Sequence, residues 1–277
     1  MAVQITVLGS NGWYSSEMGL TTCILVESEK YYIILDAGDG FSRLPKYLTD
    51  PNKKVLVFLS HLHLDHISGL HTLMNLSLPQ GMTIYCEGFV YDTLGHCLNP
   101  ASHNDLMLIK VLLPPYTLSS FDVLPTQVDI KPVYLIADSN EKLGVHNKGW
   151  VSEPLTKCRR LDHGNVSSLG YAMVADGKKI VFCTDTKPCD AVVDLAKDTD
   201  VLIAECGADE QHKDQWPHLT PKQAAEIAKR AGVGQLLLMH FTASIYNTPG
   251  SRWAAWQEAR QIFSNTQICW DKDKFVF

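Results

Sequence analysis

The segment His61-Leu62-His63-Leu64-Asp65-His66 packs three imidazoles and a carboxylate into six residues, directly after the apolar run Val55-Leu56-Val57-Phe58-Leu59. Such a run reads as a buried strand. The polar cluster cannot carry that strand on into a core, because each buried imidazole or carboxylate without a partner costs a few kcal/mol. It must stand at the strand's end, and the fold has to bring partners to that point.

His61 and His63 are two apart, so in extended or turning backbone they project to one side and can share a metal ion. Asp65 and His66 begin the next turn and point to a second. Imidazole suits zinc and its neighbours and carboxylate suits harder ions, so a mixed set permits two ions about 3.5–4 Å apart with a shared water. A histidine-rich surface turn is the plain alternative, and four ligand-type residues at this spacing weigh against it. Two ions need further ligands, and other strand ends offer them. His163 follows Cys158-Arg159-Arg160-Leu161-Asp162, Asp185 ends Lys179-Ile180-Val181-Phe182-Cys183-Thr184, and His240 ends Gln235-Leu236-Leu237-Leu238-Met239.

With these residues in view, the chain resembles the metallo-β-lactamase superfamily, and most of all its ribonuclease Z group of phosphodiesterases. The likeness runs from Thr6-Val7-Leu8-Gly9-Ser10, through Leu35-Asp36-Ala37-Gly38-Asp39-Gly40, to Met239-His240-Phe241. It implies an α/β fold, a four-layer αββα metallo-β-lactamase sandwich, and a metal-dependent hydrolase.

The group assignment rests on residues 218–228, similar to the stretch by which that group places an extra histidine near the scissile phosphate. Thr220 suits an N-cap, Pro221 the first helical position and Gln223 a capping box, while Ala224, Ile227, Ala228 and Ala231 make an apolar face that Gly232 ends. His218 thus stands just ahead of a helix N-terminus, where an anion is welcome. Glu205, after Val201-Leu202-Ile203-Ala204, matches a glutamate of the same group and could orient His218. The match is partial, since Ala204 and Gly207 replace the group's usual histidine and threonine. A loop histidine and a strand-end surface glutamate are the plainer readings of the pair.

The resemblance implies roles for these residues. His61, His63 and His163 would hold one ion, Asp65, His66 and His240 the other, and Asp185 would bridge both. A water between the ions, its proton affinity lowered, would be the nucleophile, with Asp65 orienting it or taking its proton. His218, assisted by Glu205, would protonate the departing alkoxide. Asp36 reads as a hydrogen-bond partner for a ligand histidine. The two divalent ions are expected to be zinc, with manganese or iron also compatible.

Two departures bear on substrate. Where the group inserts a long arm that grips the transfer RNA body, Leu169-Gly170-Tyr171-Ala172-Met173-Val174-Ala175 runs into Asp176-Gly177-Lys178, a tight hairpin signal. After His240 the group often has Ser-Pro-Arg-Tyr, and here Thr242-Ala243-Ser244-Ile245-Tyr246 follows Phe241 without a basic residue. The formal charge is −6 with no lysine- or arginine-rich run, so strong nucleic-acid binding is not expected. A small phosphodiester, most naturally a cyclic nucleotide, is the expected substrate. The alternatives are a ribonuclease Z-type endonuclease acting at RNA 3′ ends and a glyoxalase-II-like or lactonase-like hydrolase of thioesters or lactones. A non-catalytic binding module is a third class, and His63 disfavours diiron oxidoreductases, which use glutamate there.

The 277 residues are read as one domain, 1–277. Eight dispersed cysteines without a CxxC pair suggest reduced thiols, with Cys183 and Cys206 as core residues. The chain start lacks a secretory pattern and no run reaches the ~18 apolar residues of a membrane span, so a cytoplasmic protein with no membrane contact is expected. Homodimers are usual in the resembled group. Strand-like runs lie at 3–8, 21–27 and 31–36, suggesting an antiparallel meander, then at 54–60, 130–137, 169–175, 178–184, 200–204 and 235–239. Helical patterns lie at 66–77, 188–197, 220–231 and 251–263. Residues 99–120 and 138–157 are irregular and could form a lid, with a solvated connection the simpler reading of the second. His71, His96, His103, His146 and His212 are assigned no chemistry.

Overall fold

Apolar runs that alternate faces, closed by turns at both ends, build two sheets stacked face to face. The computed structural model describes residues 2–87, 127–133, 148–151 and 154–277. The amino-terminal half runs β1 (Gln4–Gly9), β2 (Asn11–Gly12), β3 (Cys23–Glu27), β4 (Tyr31–Leu35), β5 (Lys54–Phe58), α1 (Leu64–Ile67), β6 (Met82–Glu87) and β7 (Val128–Val133). Two 3₁₀ helices, Asp39–Lys46 and Ser68–Asn75, accompany it. The other half begins with β8 (Lys148–Val151), β9 (Thr156–His163), β10 (Val166–Ala175), β11 (Lys178–Cys183), α2 (Asp190–Ala196) and β12 (Val201–Glu205). It continues with α3 (Pro221–Ala231), β13 (Gln235–Met239), β14 (Phe241–Thr242), α4 (Pro249–Ile262), β15 (Thr266–Ile268) and β16 (Lys274–Val276).

Among the described residues, two seven-stranded sheets have the orders β16-β1-β3-β4-β5-β6-β7 and β15-β13-β12-β11-β10-β9-β8. The expected antiparallel meander is β1, β3 and β4. Side-chain alternation assigns the layers. On β5, Leu56 and Phe58 face the other sheet with Ile33, Tyr171, Phe182, Ile203 and Leu237. Val55 and Val57 face outward, with Phe41, Leu44, Leu70 and Leu73 of the 3₁₀ helices. On the far sheet, Val181, Leu202 and Leu236 pack against α2, α3 and α4 through Val192, Ile227, Ala228 and Ala255. Burial on both faces is why these strands read as unbroken apolar runs. The four layers αββα result.

Parallel pairing sets the position of the site. β4 and β5 are parallel, β11, β12 and β13 are parallel, and β9 runs in their direction through two antiparallel steps across β10. All six strands therefore end at the same edge of the sandwich. β2 pairs with β14 across the sheets at that edge. Between β10 and β11 the connection is two residues, Asp176 and Gly177, both with positive φ (44° and 81°), as a tight hairpin requires.

Several elements differ from the expected ones. Residues 66–77 do not form a continuous α-helix. The His66 carbonyl accepts from Ala37 N–H (2.7 Å) and Gly69 N–H donates to the Ala37 carbonyl (2.8 Å), so the strand-end loop takes backbone groups that an α-helix would need. Strands β6, β8, β9, β15 and β16 stand where none was predicted, and β8 and the start of β9 lie inside the stretch read as an irregular connection, 138–157. The predicted strand at 130–137 is met by β7, with 134–137 outside the described residues. Residues 99–120, 138–147 and 152–153 also lie outside them, with His96, His103 and His146, so the expected lids are not described. Among the described residues no helix is long and apolar enough to cross a membrane.

Candidate active site

The site is assembled from the loops that leave those strand ends, and its backbone is strained. Trp13, Asp36, Asp185 and His240 all have positive φ, at 73°, 58°, 49° and 51°. Non-glycine residues in that region concentrate where structure over-determines them. At Asp185 and His240 the turn directs a polar side chain back over the sheet edge.

Asp185 occupies the centre and is almost fully buried. One carboxylate oxygen, Oδ1, lies 3.2 Å from His66 Nε2 and 3.1 Å from His240 Nε2, and it accepts from Thr184 Oγ1 at 2.7 Å. The other, Oδ2, lies 3.6 Å from His61 Nε2 and 3.7 Å from His163 Nε2. His63 converges on that second side, its ring 4.5 Å from His61 and 5.2 Å from His163. Asp65 Oδ2 joins the first side, 3.4 Å from His66 Nε2 and 3.3 Å from His240 Nε2. Among the described residues three groups result, His61, His63, His163 with Asp185, then Asp65, His66, His240, and also Asp185, His218, His240, whose ligand atoms lie within 4.8 Å of one another in each group. The seven residues read from sequence are thus drawn to one place.

Neighbouring groups hold these rings in orientation. Asp36, fully buried, accepts from Ser60 N–H (2.7 Å) and Ser60 Oγ (2.8 Å) and sits 2.7 Å from His66 Nδ1. His163 Nδ1 donates to the Pro217 carbonyl at 3.2 Å, which turns Nε2 toward Asp185. Burial first, and His66 next, push the His61 imidazole well below its ordinary proton affinity. Burial alone would raise the Asp65 carboxyl, but His66 and His240 overcome it and hold it below the usual carboxylate range.

The donor set fits two divalent ions. His66 Nε2 and His240 Nε2 stand 3.1 Å apart among carboxylate oxygens, and His61 Nε2 is buried with no hydrogen-bond partner. Converging lone pairs and an orphaned ring nitrogen are costly in a protein alone and suited to metal coordination. Every one of these groups mixes imidazole and carboxylate.

His218 stands beside this cluster, at the N-terminal side of α3. Thr220 caps that helix in a capping box with Gln223, Pro221 opens it, and Gly232 ends it in the left-handed conformation. His218 Nδ1 lies 2.9 Å from Glu205 Oε2, and 4.0 Å from Asp185 Oδ2. Glu205 is fully buried and also accepts from Thr186 N–H (2.6 Å) and Gly207 N–H (3.1 Å). Burial opposes protonation of His218, but the Glu205 carboxylate overrides it and lifts the imidazole to about 9. Gly207 is required by space, since a Cβ there would collide with Glu205 Oε2 and come within 2.9 Å of the His218 ring. Gly12 likewise leaves room for the His240 ring.

A cavity of about 590 Å³ opens over the cluster, walled by His63, Asp65, Asp185, His218 and His240 and by Trp13, Leu62, Leu64, Trp216 and Thr242. Trp13 N–H donates to Asp65 Oδ2 at 2.7 Å. Neither tryptophan stands out in the sequence: Trp13 follows the glycine of a polar loop, and Trp216 sits between Gln215 and Pro217 with no such mark. Tyr246 is a structural residue, buried with its hydroxyl donating to the Ala208 carbonyl at 2.8 Å. Cys183 and Cys206 lie in the outer core.

Residues 31–241 match the family model described as a Beta-lactamase superfamily domain. The ribonuclease Z of Lacticaseibacillus casei is 30% identical over 283 residues, spanning 89% of this chain and 86% of that protein. The chain belongs to the beta-lactamase superfamily, within its ribonuclease Z group. Solved structures with the same fold include the short form of human tRNase Z (ELAC1), with TM-score 0.69, 21% identity and 98% of each chain covered. Another is a diphosphatase from the PhnP family, with TM-score 0.65, 20% identity, and 100% of this chain and 98% of that one covered. Membership of the superfamily, together with the His/Asp cluster, makes this protein a metal-dependent hydrolase whose site is compatible with two divalent ions.

Proposed function

We propose that this hydrolase is a phosphodiesterase acting on a small phosphodiester, and that a cyclic nucleotide is the substrate its site suits best. The observation that carries the reading is half-buried His218 paired to fully buried Glu205 beside the His/Asp cluster. A thiolate leaving a thioester does not need such an acid, whereas the alkoxide leaving a phosphodiester does.

His61, His63, His163 and Asp185 would hold one ion, and Asp65, His66, His240 and Asp185 the other, with zinc the first candidate for this nitrogen and oxygen set. When bound, such ions neutralise phosphate oxygens and lower the proton affinity of a shared water. Asp65, fixed by the Trp13 N–H, would orient a nucleophilic water and take its proton. Held as an imidazolium by Glu205, His218 donates its Nδ1–H to that carboxylate and carries on Nε2 a second proton, the one it would give to the departing oxygen. Asp36 and the Pro217 carbonyl keep His66 and His163 facing inward.

Small size is supported by the two-residue hairpin Asp176-Gly177, where the resembled group carries its RNA-gripping arm, and by the charge of −6. A second reading, an RNA 3′-end endonuclease, is supported by the named relatives. His218→Ala separates the phosphodiesterase readings from the carbonyl-ester one. Phosphodiester turnover should fall roughly 10²-fold or more. Unchanged phosphodiester turnover would remove His218 from the chemistry.

A further inference from the structure

We propose that Trp13 and Trp216 form a stacking seat at the mouth of the cleft, which makes the enzyme select phosphodiesters that carry a nucleobase. The proposal rests on the phosphodiesterase reading and names the part of the substrate that the chain itself recognises.

Both indoles line the cavity over the His/Asp cluster, and both are exposed, Trp13 at 59% and Trp216 at 36%. Their ring centroids lie 5.9 Å apart at 60°. Tyr14 extends the strip beyond Trp13 at 5.6 Å, and His212 stacks on Trp216 at 5.7 Å and 8°. Rings from two distant segments thus form one apolar rim. Large aromatic faces left open to water beside a polar cleft are a ligand-binding signature.

The backbone is specialised to hold them there. Trp13 has φ of 73°, a conformation that bulky residues avoid, and it is kept by its N–H bond to Asp65 Oδ2 and by the close approach of Gly12 to His240. The Trp216 carbonyl accepts from His218 N–H at 2.9 Å, and the next carbonyl, of Pro217, holds His163. Each indole is therefore registered against the residues that would face the phosphate. The described cavity wall includes no lysine or arginine. Anion recognition falls to the ion site, and the indoles are left to read the organic part. A planar base, free in a cyclic nucleotide or terminal in an RNA, satisfies that geometry.

The test compares adenosine 2′,3′-cyclic phosphate with the same cyclic phosphate on 1-O-methylribose, using the full-length zinc-loaded protein. Stacking contributes roughly 5- to 150-fold per ring. The kcat/KM ratio of base-bearing to abasic substrate should exceed 10 in the unaltered protein. It should fall about 10-fold in Trp13→Leu and in Trp216→Leu, mainly through KM, and recover in Trp13→Phe and Trp216→Phe. Independently of turnover, AMP should quench the tryptophan fluorescence of the unaltered protein and ribose 5-phosphate should not. A ratio near one, or AMP and ribose 5-phosphate quenching alike, would overturn the seat, as would leucine variants that lose both substrates in proportion. Base-selective quenching without hydrolysis of any phosphodiester would instead sink the phosphodiesterase reading and leave the seat standing. Adding a short oligoribonucleotide identifies the source, since a terminal base predicts its preference over the cyclic nucleotide.

Discussion

At His218 the two ring nitrogens have separate duties, and the separation depends on two neighbours. Glu205 fixes Nδ1 at 2.9 Å, and Gly207 leaves the space in which the ring lies. Glu205→Gln keeps an acceptor for Nδ1 but removes the charge, so kcat should drop about 10-fold or more while metal content by atomic absorption is unchanged. Gly207→Ala pushes a methyl against Glu205 Oε2 and the His218 ring, and a fall in kcat of similar size is expected, with overpacking of this buried site lowering the thermal midpoint as well. These residues were legible to different degrees. Glu205 and His218 follow from strand-end and capping patterns, whereas Gly207 reads in sequence only as a departure from the group's threonine. A space requirement set by how the Glu205 carboxylate and the His218 ring fold over it leaves no local mark.

At the scale of elements, the site exists because six strands end at one edge and the small β2–β14 pair bridges the sheets there. Arg252 of α4 secures that bridge. It is fully buried, donates to Ser10 Oγ (3.0 Å) and Asn11 Oδ1, and lies over the rings of Phe241 (4.7 Å) and Trp270 (5.0 Å). Burial draws its proton affinity down to about 10, which still leaves it charged at neutral pH. Arg252→Met preserves the apolar stem but leaves Asn11 Oδ1 without its donor, while Ser10 Oγ keeps its bond to Asp271. A loss of about 1–3 kcal/mol in stability is expected from urea denaturation. The strands that form the centre of each sheet were legible, since burial on both faces gives long apolar runs. β9 was not, because Thr156-Lys157-Cys158-Arg159-Arg160-Leu161-Asp162-His163 has no clean alternation and is held by backbone pairing to β8 and β10. The three-residue strands β15 and β16 are too short for any period.

For the whole molecule, the ion site joins the two sheets, with His61, His63, Asp65 and His66 from one and His163, Asp185 and His240 from the other. Chelation should therefore loosen the entire sandwich. Ions present at about 1,000 times their Kd stabilise a fold by roughly 4 kcal/mol, so EDTA treatment should lower the melting midpoint by several degrees, reversibly on adding zinc. An unchanged midpoint would show that the sheets hold together without the ions. The most direct measurement is hydrolysis by zinc-loaded protein of 2′,3′- and 3′,5′-cyclic nucleotides beside a precursor transfer RNA, a thioester and a lactone, with Asp65→Ala as control. Cyclic nucleotides should be turned over fastest, and the substitution should abolish it. Turnover confined to the thioester or lactone would contradict the phosphodiesterase assignment, and preference for the precursor RNA would contradict the small-substrate reading.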